Sequence, residues 1–150
     1  MGAGAGHPVA PLVVSLATVA WLTVLCGHDL RHRRLPNTLT LPGAAALLAA
    51  ATVAGHGAAA LAGALTLAGI YLAVHLVAPA ALGAGDVKLA LGVGAWTGWF
   101  GAPVWALAAL GAPLLTAVVA LVAGCRGAHA IPHGPSLGLA GAAAVALALL

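Results

Sequence analysis

The chain has 150 residues, of which 63% are hydrophobic and 5% are charged, and its mean hydropathy is +1.15. A soluble domain carries about 25% charged residues, so this composition excludes a water-covered globular surface and indicates an integral membrane protein. The formal net charge of +3 comes from only five Lys and Arg residues. So few cations do not suggest a nucleic-acid partner; they are typical of loops that set membrane topology, and the expected partner is the lipid bilayer.

Six apolar runs, separated by short polar or glycine-rich breaks, each predict a membrane-spanning helix. The runs cover residues 9–27, 38–54, 58–77, 87–100, the stretch from the turn at 101–103 to 124, and 136–150. The fourth and sixth runs are short for a complete crossing. The sequence therefore predicts an all-α, polytopic bundle of about six transmembrane helices that forms a single domain over residues 1–150.

The basic residues predict how this bundle is oriented. All of them fall at loops of one parity, namely Arg31, Arg33 and Arg34 in the first loop, Lys88 at the third and Arg126 in the fifth. Positive charge marks the cytoplasmic side, so both termini are expected outside. The aromatic residues that cluster around the fourth loop are then expected to form a belt at the outer interface. They are Trp96, Trp99, Phe100 and Trp105.

Asp29 and Asp86 are the only acidic residues in the sequence. An ionisable group at a membrane is costly and usually functional, and the predicted topology puts both on the cytoplasmic side. Two close carboxyls tend to share one proton, so one can polarise a peptide carbonyl while the other activates water. Which aspartate takes which role stays open, because the pair titrates together. The simpler alternatives are a solvated loop residue at Asp29 and a helix N-terminal acid at Asp86.

Glycines surround the second aspartate. Gly83 and Gly85 permit a close backbone approach just before Asp86, where a substrate peptide could lie. The stretch lacks the Gly-Lys-Ser/Thr of a phosphate loop and the third glycine of a dinucleotide site. Further on, Gly94 and Gly98 have the spacing that lets membrane helices pack closely, and we interpret that pair as packing.

Three segments, in this order, carry a family resemblance. Residues 29–40 (DLRHRRLPNTLT) join an aspartate to a basic run and a Leu-Pro-Asn; residues 83–89 (GAGDVKL) contain a Gly-x-Gly-Asp; residues 131–137 (IPHGPSL) contain a Gly-Pro. Together they resemble the GxGD intramembrane aspartyl proteases, and among these the type IV prepilin peptidases. The resemblance differs at His133 and Ser136, where that family usually has aromatic residues.

The resemblance implies that Asp29 and Asp86 are the catalytic pair of an endopeptidase that cuts the leader from prepilin-like substrates. It places the enzyme in a prokaryotic cell membrane with its active site facing the cytoplasm. No metal or other cofactor is expected, since the spacing of His28, His32 and His133 matches no metal motif. Candidates for binding substrate or shaping the site are Gly83, Gly85, Lys88, Pro36, Asn37, Gly134 and Pro135.

The sequence also resembles the short form of this family, found in preflagellin peptidases and in tight-adherence pilus systems. Larger members carry an N-terminal segment with paired cysteines that is associated with N-methylation of the mature pilin. Here the cysteines are Cys26 and Cys125, which form no such pair, so no methyltransferase activity is expected.

Two other functions remain compatible with the residues. A carrier or channel subunit could use the aspartates as a proton or cation relay, although no internal repeat of the kind seen in transporters is evident. A GxGD protease acting on signal peptides would share the pair of aspartates but would not need the Leu35-Pro36-Asn37 segment.

Overall fold

The computed structural model describes residues 9–32, 34–124 and 133–150. Within these ranges the chain forms six α-helices and no strand, so the all-α prediction is confirmed. The helices are α1 (Val9–His32), α2 (Asn37–Val53), α3 (Gly57–Val77), α4 (Ala84–Trp99), α5 (Ala102–Gly124) and α6 (Gly134–Leu149). The predictions made for Arg33, Cys125, Arg126 and residues 131–132 lie outside the described residues.

The first helix continues past the apolar run that predicted it. α1 ends at His32, so Asp29, which was expected in a polar loop, lies in a helix and is only 8% exposed. Arg31 and His32 in the last turn suit the negative end of the helix dipole. The helix ends shortly before Leu35 and Pro36, because a residue that precedes proline disfavours the helical conformation. The helix thus carries Asp29 into the protein.

Within the described part of the chain, three helices are long and apolar enough to cross a membrane. α1, α3 and α5 have 24, 21 and 23 residues, and α2 and α6 are shorter apolar helices. Large apolar side chains on the long helices face outward, among them Leu12, Leu65 and Leu114, which are each about half exposed or more. Such surfaces suit lipid rather than water.

The fourth helix is the centre of the bundle. α4 has 16 residues and packs against α2, α3, α5 and α6. Its contact with α3 is very close, because a Cβ atom added to Gly94 or Gly98 would collide with the backbone around Gly63. The interpretation of Gly94 and Gly98 as packing residues is therefore confirmed.

The central position of α4 corrects the prediction of an aromatic belt. Trp96 is 1% exposed and its indole N–H donates to Ser15 Oγ at 3.2 Å, and Trp99 is 7% exposed. Trp105 is half-buried and donates to the carbonyl oxygen of Gly63 at 3.0 Å. The belt was wrong for Trp96 and Trp99 because their helix is enclosed by the other helices rather than lying at the membrane surface.

Candidate active site

Three helix ends meet at the candidate site. Asp29 lies in the last two turns of α1, Asp86 in the first turn of α4, and Gly134 is the first residue of α6. A Cβ atom on Gly134 would lie 2.8 Å from Asp29 Oδ2 and 3.6 Å from Asp86 Oδ1. One oxygen of each carboxyl therefore lies within 3.6 Å of the same point, so these two oxygens are less than twice that distance apart. The structure brings together the two aspartates that the sequence singled out.

The Asp86 carboxyl is held by the turn that precedes it. Gly83, in an extended conformation, is the N-cap residue of α4, and its N–H donates to Asp86 Oδ2 at 3.2 Å. In return, the Asp86 N–H donates to the Gly83 carbonyl at 3.1 Å. This arrangement satisfies two groups of the helix end and fixes the side chain. The other oxygen, Oδ1, lies 3.6 Å from the Cβ position of Gly134.

The surroundings of Asp86 change its protonation. Burial raises the pKa of Asp86 to about 6, with the Gly83 N–H opposing the rise and the negative charge of Asp29 adding to it. The ordinary pKa of an aspartate is about 3.9. One carboxyl of the pair can therefore hold a proton much nearer to neutral pH than a free aspartate does, as a shared-proton pair requires.

A polar cavity of about 310 Å³ opens beside the two carboxyls. Its walls are formed by Asp29, Arg34, Leu35, Gly83, Ala84, Gly85, Asp86 and Lys88. Because Gly85 has no side chain, Leu35 can pack closely against it; a Cβ atom there would lie 3.2 Å from the side chain of Leu35. The Lys88 ammonium donates to Asn37 Oδ1 at 2.6 Å and so links α4 to the first residue of α2. The cavity combines two acids, two cations and exposed backbone, a set that can bind a peptide and water.

The structure distributes the other predicted site residues as follows. Gly83, Gly85 and Lys88 line the cavity with both aspartates. Pro36 is the N-cap residue of α2 and Asn37 joins the site through Lys88. Gly134 lies close to both carboxyls, whereas Pro135 lines a separate apolar groove of about 400 Å³ between α1 and α6.

Several contacts around the site were not predicted. Arg34 and Leu35 line the cavity, whereas the sequence indicated Arg34 as a topology signal and Leu35 as part of the Leu-Pro-Asn segment. His75 on α3 has its Nδ1–H directed at the Leu82 carbonyl at 2.7 Å and so holds the loop before Gly83. Tyr71 lies 2.7 Å from His133, which in turn lies 2.6 Å from Thr116. The only tyrosine of the sequence, within an apolar run, was the signal that could have pointed to this cluster.

No group of three or more His, Cys, Asp or Glu side chains is placed to hold a metal ion among the residues that the structure describes. The expectation that the protein uses no cofactor stays an expectation. Two carboxyls placed this close can carry out acid–base chemistry. These features define a helical membrane protein with a paired-carboxyl site.

Comparison with known proteins gives the family. The Type IV leader peptidase family matches residues 16–123, which include both aspartates. The prepilin leader peptidase/N-methyltransferase of Xanthomonas campestris pv. campestris is 34% identical over 138 residues, covering 81% of this chain and 45% of that relative. The chain thus spans less than half of the relative's length. No solved structure matches. The chain belongs to the type IV leader peptidase family.

Proposed function

We propose that the protein is an aspartic endopeptidase that removes the leader peptide from prepilin-like proteins at the cytoplasmic face of a prokaryotic cell membrane. One observation carries the proposal: the only two acidic residues of the sequence, Asp29 and Asp86, meet at Gly134. The family supports the prepilin substrate, since its members are leader peptidases.

The proposed mechanism follows from one proton shared by the two carboxyls. The protonated carboxyl donates to the oxygen of the scissile carbonyl while the ionised one takes a proton from water. The water oxygen bonds to the carbonyl carbon and forms a tetrahedral intermediate. The C–N bond then breaks as the leaving amine takes the proton that came from water, and a hydroxyl of the intermediate returns its proton to the other carboxylate, so the pair again holds one proton. Either aspartate can begin as the base, and the proposal leaves that assignment open.

The cavity residues receive supporting roles in this proposal. Because Gly83 and Gly85 have no side chains, an extended substrate backbone can lie close beside Asp86. Arg34 and Lys88 supply donors for substrate carbonyl oxygens, and Asn37 orients Lys88. Pro36 fixes the start of α2. Gly134 and Pro135 form the first turn of α6 beside the pair.

The orientation is proposed from charge. The described basic residues Arg31, Arg34 and Lys88 all lie at the end of the bundle that holds the two aspartates. Because positive residues stay in the cytoplasm, that end is proposed to face inward. The leader would then be cut before the substrate's mature part leaves the membrane.

We propose the peptidase activity alone. The relative's name includes N-methyltransferase, and the present sequence has two cysteines that are far apart in the chain. The mass of the mature N-terminus, measured after incubation with substrate and a methyl donor, tests this point. An added methyl group would show the second activity.

The test of the proposed function is cleavage of candidate prepilins by the purified protein in detergent. We expect Asp29→Asn and Asp86→Asn each to lower kcat by roughly 10³-fold or more, because each removes the shared proton. Thr66→Val, a change on the exposed face of α3, serves as the matched control and should cleave like wild type. Sequencing the new N-terminus identifies the cut site.

Full cleavage by either asparagine variant, folded by circular dichroism, would disprove the proposal. Proton or ion flux through wild-type protein in vesicles, without cleavage of any candidate, would favour a relay function instead.

A further inference from the structure

Polar side chains from three parts of the chain meet beside the candidate site. The ring of His133, just before α6, lies 2.7 Å from Tyr71 Oη on α3 through Nε2 and 2.6 Å from Thr116 Oγ1 on α5 through Nδ1. Tyr71 is 6% exposed, and its ring packs against the imidazole at a centroid distance of 5.4 Å. The imidazole thus joins three elements that are distant in sequence.

The hydrogen bonds of this cluster have a consistent direction. Thr116 Oγ1 lies 3.0 Å from the Ala112 carbonyl, which can only accept, so the hydroxyl donates there and accepts from His133 Nδ1–H. His133 Nε2 then carries no proton and accepts from the Tyr71 hydroxyl. Burial lowers the pKa of His133, which agrees with a neutral ring. One neutral tautomer therefore satisfies all the polar groups.

The cluster is attached directly to the site. His133 is the N-cap residue of α6, and its carbonyl accepts the Leu137 N–H at 3.1 Å. The next residue is Gly134, whose Cβ position lies 2.8 Å from Asp29 Oδ2 and 3.6 Å from Asp86 Oδ1. A displacement of the His133 ring therefore displaces backbone that packs against both carboxyls. An ordinary aromatic residue at position 133 would fill the same space without these bonds.

We propose that His133 is a positioning residue that, through its hydrogen bonds to Tyr71 and Thr116, fixes the first turn of α6 and thereby the separation of Asp29 and Asp86. This inference rests on the proposed function in taking the two aspartates as the catalytic pair. It assigns His133 no contact with substrate.

The test uses the scarcity of acids in this chain. Protein made by cell-free synthesis with aspartate labelled by ¹³C at the carboxyl carbon contains two labelled side chains, because the sequence has two acidic residues in all. Their chemical shifts, followed against pH in nanodiscs, report both carboxyls directly and need no substrate. The other titratable groups near the pair are Arg34 and Lys88 on the cavity wall, Cys26 on α1, Tyr71 on α3 and His133 itself.

The informative variants remove hydrogen bonds and keep volume. Tyr71→Phe and Thr116→Val each remove one hydroxyl, and His133→Phe removes both bonds while keeping an aromatic ring. We expect the higher of the two carboxyl titrations to move down by roughly 0.5–1 pH unit, since the carboxylates separate and repel less. In the same variants kcat/KM for a cleaved prepilin should fall about tenfold or more. His133→Gln, whose amide oxygen can still accept from Tyr71, should stay closer to wild type than His133→Phe.

A loss of stability alone would not shift these titrations, and Thr66→Val controls for the removal of a threonine hydroxyl away from the cluster. If Tyr71→Phe, Thr116→Val and His133→Phe all fold and titrate like wild type, the positioning role is overturned. In a His133→Phe background, Tyr71→Phe should add no further shift; full additivity would also overturn it. If wild type cleaves no candidate prepilin, the proposed function fails, and the titrations still decide whether His133 positions the carboxyls.

Discussion

Asp29 and Asp86 are held in different ways, although they share one cavity. The Asp86 carboxyl is oriented by the Gly83 N–H, which donates to one of its oxygens. Asp29 is held by burial inside the bundle, with Oδ2 against Gly134. At the scale of single residues, the site therefore depends on the absence of a side chain at position 134 as much as on the two acids.

Replacing Gly134 with alanine should disrupt the pair. The new Cβ would lie 2.8 Å from Asp29 Oδ2, closer than a Cβ atom tolerates, so the Asp29 carboxyl must turn away and its placement beside Asp86 changes. We expect kcat/KM for prepilin cleavage to fall tenfold or more, about the effect of a small misplacement of catalytic groups. Gly69→Ala on α3 is the control, because nothing lies within 4 Å of its Cβ position. Wild-type activity in Gly134→Ala would contradict this account of the site.

The raised pKa of Asp86 predicts how stability depends on pH. The folded protein binds this proton more tightly than the unfolded chain, so wild-type stability falls as the pH rises from 3.8 to about 6 and stays lowered above that range. Asp86→Asn carries no charge and keeps the acceptor for Gly83. It should therefore be more stable than wild type above pH 6, and this advantage should disappear as the pH falls toward 3.8.

Each unit of pKa shift corresponds to about 1.4 kcal/mol, and the wet cavity reduces the effect, so we expect a gain on the order of 1–2 kcal/mol. Thermal unfolding in detergent at several pH values measures it. Equal stability of the two proteins across this pH range would show that burial does not raise the pKa of Asp86.

The two aspartates could be predicted from the sequence, but the residues that hold and surround them could not. Asp29 and Asp86 stand out because ionisable groups are rare in this chain, and Gly134 stands out through its motif. The partners of His133 come from α3 and α5, and local sequence does not specify which turns of two apolar helices face each other. The charge of Arg34 was interpreted as a topology signal, and charge alone does not show that the residue lines the cavity.

At the scale of helices, the central element is one of the two whose sequences looked weakest as membrane spans. Ten residues of α4 are buried, including three glycines in its second half. Apolar periodicity predicted where each helix lies, but it did not show which helix the others surround, because every face of these helices is apolar. The end of α1 was also misjudged, since Asp29 lies inside a helix rather than in a loop.

The contact between α3 and α4 should be intolerant of any added atom. A Cβ on Gly94 would lie 3.0 Å from Ala64 Cα and closer still to the backbone of Gly63. We expect Gly94→Ala to lower the free energy of unfolding by about 1–3 kcal/mol, as overpacking does in well-packed cores. Thermal unfolding in detergent measures the loss, again with Gly69→Ala as the control. A melting temperature equal to that of wild type would mean that the two helices are less closely packed than the structure shows.

At the scale of the whole molecule, one end of the bundle is polar and its sides are apolar. The aspartates, Arg34 and Lys88 share the cavity at one end, while the long helices expose large apolar side chains along their sides. The sequence predicted this division from composition. The orientation of the bundle in the membrane remains a prediction from the positive charges alone, since the aromatic residues that supported it are largely buried.

Reporter fusions test that orientation. A fluorescent protein that matures only in the cytoplasm should fluoresce when joined within residues 78–83, the loop before α4, and should stay dark when joined after Leu150. A periplasmic enzyme reporter should give the reverse pattern, because the loop before α4 shares the cytoplasmic side with Arg31 and Arg34. The opposite pattern would place the aspartates on the outer face and would require a substrate cut outside the cell.

The position of Gly134 has a consequence for biosynthesis. α1 and α4 leave the ribosome with one aspartate each, and α6, whose first residue packs against both carboxyls, follows them. Until α6 has been made, α2 and the Trp96–Ser15 hydrogen bond already hold α1 and α4 together, but the backbone that Gly134 places beside the two carboxyls is missing. Under the proposed function, a growing chain therefore reaches its working arrangement only after synthesis has passed residue 134.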